Sequence, residues 1–168
     1  MVVTARSRRP DVEFRAVNYD DAHAGLLTAI LDAGRAELPD HPDLEPPPRP
    51  ELEPRNRGVF VLAYLNGQPG ACGGYRALPG DPTGATAEVV RMFVRSCSRG
   101  AGLGRALLAE LEQRAWDDDY NRIVLRLDER QRAAKALCEV VGYRLIPGPS
   151  PDPGSCGRQT YSKQLASE

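Results

Sequence analysis

The chain is poor in the residues that build metal centres and covalent frameworks. Its 168 residues include only two histidines, His23 and His41, and four cysteines, Cys72, Cys97, Cys138 and Cys156, none paired as CxxC. Clustered zinc ligation is therefore not expected, and no metal is assigned. A disulfide framework is not expected either, because a chain of this length buries enough surface to fold without staples. The thiols read as small buried hydrophobes. Charge of one sign is also missing: 22 Lys plus Arg face 23 Asp plus Glu, a net charge of −1. A general nucleic-acid binder carries a basic excess, so nucleic acid is not expected as a partner, although a local basic site for a small anion is compatible with the balance. The longest uncharged stretch, Gly58 to Tyr75, is broken by Asn66, Gln68, Pro69 and several glycines. It is no membrane span, and no membrane partner is expected. Arg6, Arg8 and Arg9 are followed by no apolar run, so no secretory signal is expected and the cytoplasm is the expected compartment. A homodimer is left open.

What is abundant is proline and glycine, 15 and 16 residues, and their placement divides the chain. Residues 1–10 read as a loose tail ended by Pro10, and residues 11–168 as a single domain. Val12, Phe14 and Ala16 alternate as in a strand. Asp20 or Asp21 caps a helix with Leu26, Leu27, Ile30 and Leu31 as its apolar positions, ending near Pro39. Pro39, Pro42, Pro46, Pro47, Pro48, Pro50 and Pro54 then fill a loop at 39–54. Each fixes φ and removes a donor, so neither a helix nor a central strand is expected there. Such a loop serves as a lid or as a stiff surface connection.

From Gly58 onward the pattern changes. Val59–Leu65 reads as a buried strand, Asn66-Gly67 as a hairpin turn, Ala71–Leu78 as its antiparallel partner and Thr86–Val94 as a third strand. Leu103, Leu107, Leu111 and Ala115 recur every four residues, predicting an amphipathic helix from about Gly102 to Asp118. Ile123–Leu127 is a strand. A second such helix starts near Glu129, carries Ala134, Leu137 and Val141 on one face, and stops at Gly142. Strands at Tyr143–Ile146 and Arg158–Leu165 follow, separated by a Pro/Gly/Ser-rich segment at 147–157. There is no internal repeat. The mixed order predicts an α+β domain around a partly antiparallel sheet.

The segment between strand and helix is the most informative. Gly100, Gly102 and Gly104 sit where Val94 passes into the helix, flanked by Arg99 and Arg105. Glycine permits a tight turn and clears side chains from a ligand's path; the free amides at a helix start, with the helix dipole, favour an anion. The same glycines would also suit a plain connection. A dinucleotide fingerprint needs a third glycine where Arg105 to Leu107 stand, and a phosphate-binding P-loop needs a terminal Gly-Lys-Ser/Thr. Neither is present.

The spacing that matches is Arg99-x-x-Gly102-x-Gly104. With the strand ending at Val94 and the apolar helix after it, this resembles the acetyl-CoA site of the GNAT superfamily of N-acyltransferases. Leu137-Cys138-Glu139-Val140-Val141-Gly142-Tyr143 resembles that family's downstream Leu-Tyr-x-x-x-Gly-Phe segment. The match runs from about residue 58 to 146. It implies a mixed, mostly antiparallel sheet with helices on both faces, splayed between the strands at 86–94 and 122–127. It further implies that backbone groups of Met92, Phe93 and Val94 hold pantetheine, and that the amides of Arg99, Gly100, Ala101, Gly102, Leu103, Gly104 and Arg105 hold the pyrophosphate. Gln131 stands where the family frequently has Asn.

The implied function is transfer of an acetyl group from acetyl-CoA to a primary amine by direct attack in a ternary complex. The rival is an acyl-CoA-binding sensor without turnover. Glu88 is the candidate base, with a solvated residue or a partner of Arg91 or Arg95 as the plainer alternative. Tyr75, Asp128 and Glu129 are weaker candidates for the acceptor side. Cys138 stands where the family often has the Tyr that protonates the CoA thiolate; a thiol amid Leu137, Val140 and Val141 is expected to be packed and neutral.

Overall fold

The computed structural model describes residues 10–36, 46–128, 130–147 and 158–166. The alternating residues form β1 (Val12–Ala16), and α1 (Ala22–Ala36) starts where Asp21 Oδ1 accepts from the N–H groups of His23 (2.8 Å) and Ala24 (3.2 Å). These are the amides that an Asp at this position leaves satisfied. The buried face of α1 is Ala24, Leu27 and Thr28; Leu26 and Ile30, expected on it, are 45% and 37% exposed. The apolar run is wider than the stripe one sheet face can cover.

Then come β2 (Val59–Leu65), β3 (Gln68–Ala77) and β4 (Thr86–Val94), an antiparallel meander. Asn66 and Gly67 both take positive φ, 50° and 81°, the geometry that matches a two-residue turn to strand twist. Helix α2 (Leu103–Asp117), β5 (Arg122–Asp128), α3 (Arg132–Val140), β6 (Arg144–Ile146) and β7 (Arg158–Gln164) complete the chain. Helix α3 begins three residues later than its pattern suggested. The seven strands lie in the order β1-β2-β3-β4-β5-β7-β6, all neighbours antiparallel except β4 and β5.

Both faces of β2 are covered, which is why its sequence is apolar without alternation. Phe60, Leu62 and Tyr64 meet Ala24, Leu27 and Leu52 on the α1 side. Val59, Val61 and Ala63 join the cluster of Leu103, Leu107, Leu108 and Leu111 of α2 on the other. The last strands are fastened to α2 through Glu112, which accepts from the Tyr143 hydroxyl (2.8 Å) and from Lys163 Nζ (2.8 Å).

The pairing of β4 with β5 covers only Thr86–Glu88 against Arg122–Val124. Beyond it β4 bulges: between the pairs Gly74↔Val90 and Cys72↔Phe93, Gly73 faces both Arg91 and Met92. Arg91 takes φ 56° there. An extra residue on one strand bends it and sharpens its twist, and the two strands part.

The tail at 1–9, the proline loop at 39–45 and the Pro/Gly/Ser-rich segment at 148–157 lie outside the described residues. The rest of the proline loop forms two single turns, Arg49–Leu52 and Pro54–Asn56, each with proline in a first-turn position. Proline bars helix interiors but suits helix starts. Leu52 is buried in the core, so this part of the loop is a fixed connection.

Gly58 shows how tightly that connection is seated: a Cβ there would lie 1.9 Å from the Glu51 carbonyl oxygen. Gly58→Ala is expected to destabilise by about 1–3 kcal/mol through overpacking. Gly25→Ala on α1, where a Cβ meets nothing within 4 Å, is expected to gain up to about 1 kcal/mol from helix propensity. Urea unfolding of the two variants checks the pair.

Candidate active site

Where β4 and β5 part, a cavity of about 210 Å³ opens on the α1 side, with Glu88 to Met92 on one wall and Leu125 to Asp128 on the other. Glu88 is 5% exposed. Its partners are neither Arg91 nor Arg95, the two that the plainer alternative offers. Arg76 Nε lies 3.0 Å from Oε2 and Arg126 Nε 3.2 Å from Oε1. The reason is register: Arg76 stands opposite Glu88 on β3, and Arg126 sits on the same face of β5. Arg76 also reaches Glu51 at 2.6 Å. Arg91 points instead to α1, where its two terminal nitrogens hold both oxygens of Asp32 at 2.6 and 2.9 Å. That guanidinium holds the Asp32 carboxyl below its usual range.

Of the weaker candidates, Asp128 lines the cavity, and Glu129 lies outside the described residues. Tyr75 is placed elsewhere. It is buried on the α2 side with its hydroxyl donated to Asp118 Oδ2 at 2.5 Å. Strand parity puts Tyr75 on the face opposite Arg76. Gln131 precedes α3 and borders the cavity, its Oε1 accepting from the Asp128 N–H at 2.9 Å.

At the far end of β4 the chain turns through Ser96–Ser98 into the glycines. Gly100 and Gly102 hold φ of 84° and 73°, and a Cβ on either would meet no atom within 4 Å. Gly102 precedes α2 with no capping side chain, and the first helical hydrogen bond runs from Ala106 N–H to the Gly102 carbonyl. The N–H groups of Leu103, Gly104 and Arg105 thus have no intrahelical partner. Arg99 and Arg105 are exposed beside them, while the Leu103 side chain is buried, so only its amide is available. Gly104 has a different reason to be glycine: its Cβ would lie 3.4 Å from Val94 Cγ2 and 3.7 Å from Leu137 Cδ2. It seats the first turn of α2 against the end of β4. An uncapped helix start behind bare glycines, leading from a strand edge without a partner, fits a pyrophosphate and an extended amide-bearing arm.

Residues 26–143 match the model of the acetyltransferase (GNAT) family. The chain belongs to the GNAT family. It is an acyltransferase with the mixed α+β sheet of that fold. No curated protein matches the chain. Solved structures do. An acyl-CoA N-acyltransferase assignment from Klebsiella pneumoniae is 24% identical, covering 92% of this chain and 98% of its own, with a TM-score of 0.73. A GNAT-family acetyltransferase of Staphylococcus aureus is 17% identical over 93% and 100%, with a TM-score of 0.68. The Salmonella typhimurium protein yncA, solved with acetyl-CoA, is 15% identical over 94% and 95%, with a TM-score of 0.62. At these identities the likeness concerns the fold. No helix among the described residues is long and apolar enough to cross a membrane.

Cys138 is 1% exposed in the α2-side core. Burial, with Glu139 and Glu112 nearby, pushes its thiol up to about 11, and burial pushes Cys72 up to about 12. Cys97 is exposed. Iodoacetamide at pH 8 is expected to label Cys97 in the folded protein and to reach Cys72 and Cys138 only after unfolding, as peptide mass spectrometry will show.

Proposed function

We propose that this acetyltransferase moves the acetyl group of acetyl-CoA to a primary amine of a small-molecule or peptide acceptor, by direct attack in a ternary complex. The observation that carries this reading is the parting of β4 from β5 after three paired residues, with the freed edge leading into uncapped amides. Backbone groups of Met92, Phe93 and Val94 hold the pantetheine arm as an added strand. The amides from Arg99 to Arg105 hold the pyrophosphate, with the two arginines adding charge, and Gln131 closes the β5 side. Residues 11–168 act as one catalytic domain, and the cytoplasm is the compartment this reading assigns.

The acceptor's ammonium must lose a proton before its nitrogen can attack, and the departing thiolate must gain one. Glu88 takes the first, directly or through a water. Its two ion pairs fix the carboxylate, and each oxygen keeps a lone pair for a further donor. The acyl oxygen, placed against amides of β4, is stabilised as negative charge builds on it. Solvent supplies the second proton. Cys138 is packed away, and the Tyr143 hydroxyl is committed to Glu112.

Two variants test the reading. Gly102→Asp puts a carboxylate beside the open amides, at a backbone conformation Asp tolerates. Acetyl-CoA affinity by calorimetry is expected to fall roughly tenfold or more with the fold intact, as charge repulsion and competition for the same donors predict; unchanged affinity overturns the cradle. Glu88→Gln keeps the shape and one acceptor oxygen for the arginines but removes the base. Its rate is expected to fall about 10²-fold at low pH and to recover partly at high pH, where more amine is already neutral. A pH–rate profile superimposable on the parent removes Glu88 from the mechanism.

A further inference from the structure

Around the cavity between β4 and β5 the charges do not balance. Arg35, Arg76, Arg91, Arg126 and Arg158 line it against Glu88 and Asp128. Arg76 and Arg126 are taken by Glu88, and the terminal nitrogens of Arg91 by Asp32. Two donors remain. Arg35, in the last turn of α1, makes no ion pair or hydrogen bond among the described residues. Arg91 Nε is buried and has no hydrogen-bond partner among the described residues. A buried donor left unpaired is costly unless a ligand completes it. Burial, then the like charge of Arg91, and further off that of Arg158, hold Arg35 below the usual arginine range, only partly offset by Asp32. Arg35 and the buried Nε of Arg91 thus border one cavity in which an anion would pair them.

The CoA phosphates do not fit this place. The uncapped amides belong to α2, which packs on one face of the sheet, whereas Arg91 pairs with α1 on the other. Glu88, the proposed proton acceptor, borders the same cavity as Arg35 and Arg91. A second hollow of about 550 Å³ over β5, β7 and β6 shares Arg126 and Arg158 with this cavity and can take the body of an acceptor.

We infer that the acceptor amine carries an anionic group, a carboxylate or a phosphate, which Arg35 and Arg91 bind while its nitrogen is held at Glu88. This inference rests on the acetyl-transfer reading above. The guanidinium fork suits either anion. Neutral amines and polyamines leave the two donors unpaired and are poor acceptors.

The test is a thiol-release assay at saturating acetyl-CoA with matched amines: β-alanine against β-alaninamide, phosphoethanolamine against ethanolamine, and L-amino acids against their amides. At least one anionic member is expected to exceed its neutral partner in kcat/KM by roughly tenfold or more, the range of a charge-assisted hydrogen bond. The carboxylate and phosphate arms decide between the two anions. Arg35→Met is expected to collapse that preference through KM, Arg35→Lys to restore part of it, and acetyl-CoA affinity by calorimetry to hold in both. Amines acetylated without an anionic preference, or a preference that survives Arg35→Met, overturn this inference and leave the acetyl-transfer reading standing. Acetylation of no amine in the panel overturns the acetyl-transfer reading, and this inference falls with it.

Discussion

The cleft exists because one arginine sits in a backbone conformation that its residue type rarely adopts. At φ 56° Arg91 forms the bulge in β4, and its guanidinium, side chain 3% exposed, is held by Asp32 of α1. A non-glycine residue at positive φ persists where its surroundings over-determine it; here a bidentate ion pair to the covering helix does so. The bulge bends β4 off β5. The freed edge, the cavity wall and the approach to the glycine turn all follow from that bend.

The two faces of the sheet then carry separate work. On the α2 side, packing sets the glycine turn: Gly104 lets the helix start sit against Val94, and Leu103 anchors it in the core. On the α1 side, charge sets the cavity: Glu88 is clamped across three strands by Arg76 and Arg126. Burying a carboxylate with two partners fixes its position more than it adds stability.

Much of this was legible in the sequence, for identifiable reasons. Strand and helix periods were strong, so every strand and helix was found, and the glycine spacing located the turn at α2. Side-chain partners were not legible, because they depend on register. Arg91 and Arg95 are nearest to Glu88 along the chain, yet Arg76 lies opposite it across the β3–β4 hairpin and Arg126 reaches it from β5. A count outward from the turn at Gly80–Gly84 pairs Arg76 with Glu88, but Arg126 also needs the β4–β5 register. The face that Tyr75 takes is hidden for the same reason: one residue of parity moves a side chain to the other face. The positive φ of Arg91, and hence the bulge, left no mark in the sequence, since arginine carries no preference for it.

The position of β7 has a consequence for how the molecule assembles. Although it comes after β6 in the chain, it lies between β5 and β6, pairing with β5 along all seven of its residues and with β6 along three. Until Arg158–Gln164 is in place, β5 has no antiparallel neighbour and the three residues of β6 have none at all. The meander of β2 to β4, built from adjacent segments, can close on α2 well before that. That part of the sheet is therefore local and fast to form, and the far edge waits on a strand threaded between two earlier ones, a late and topologically distant closure.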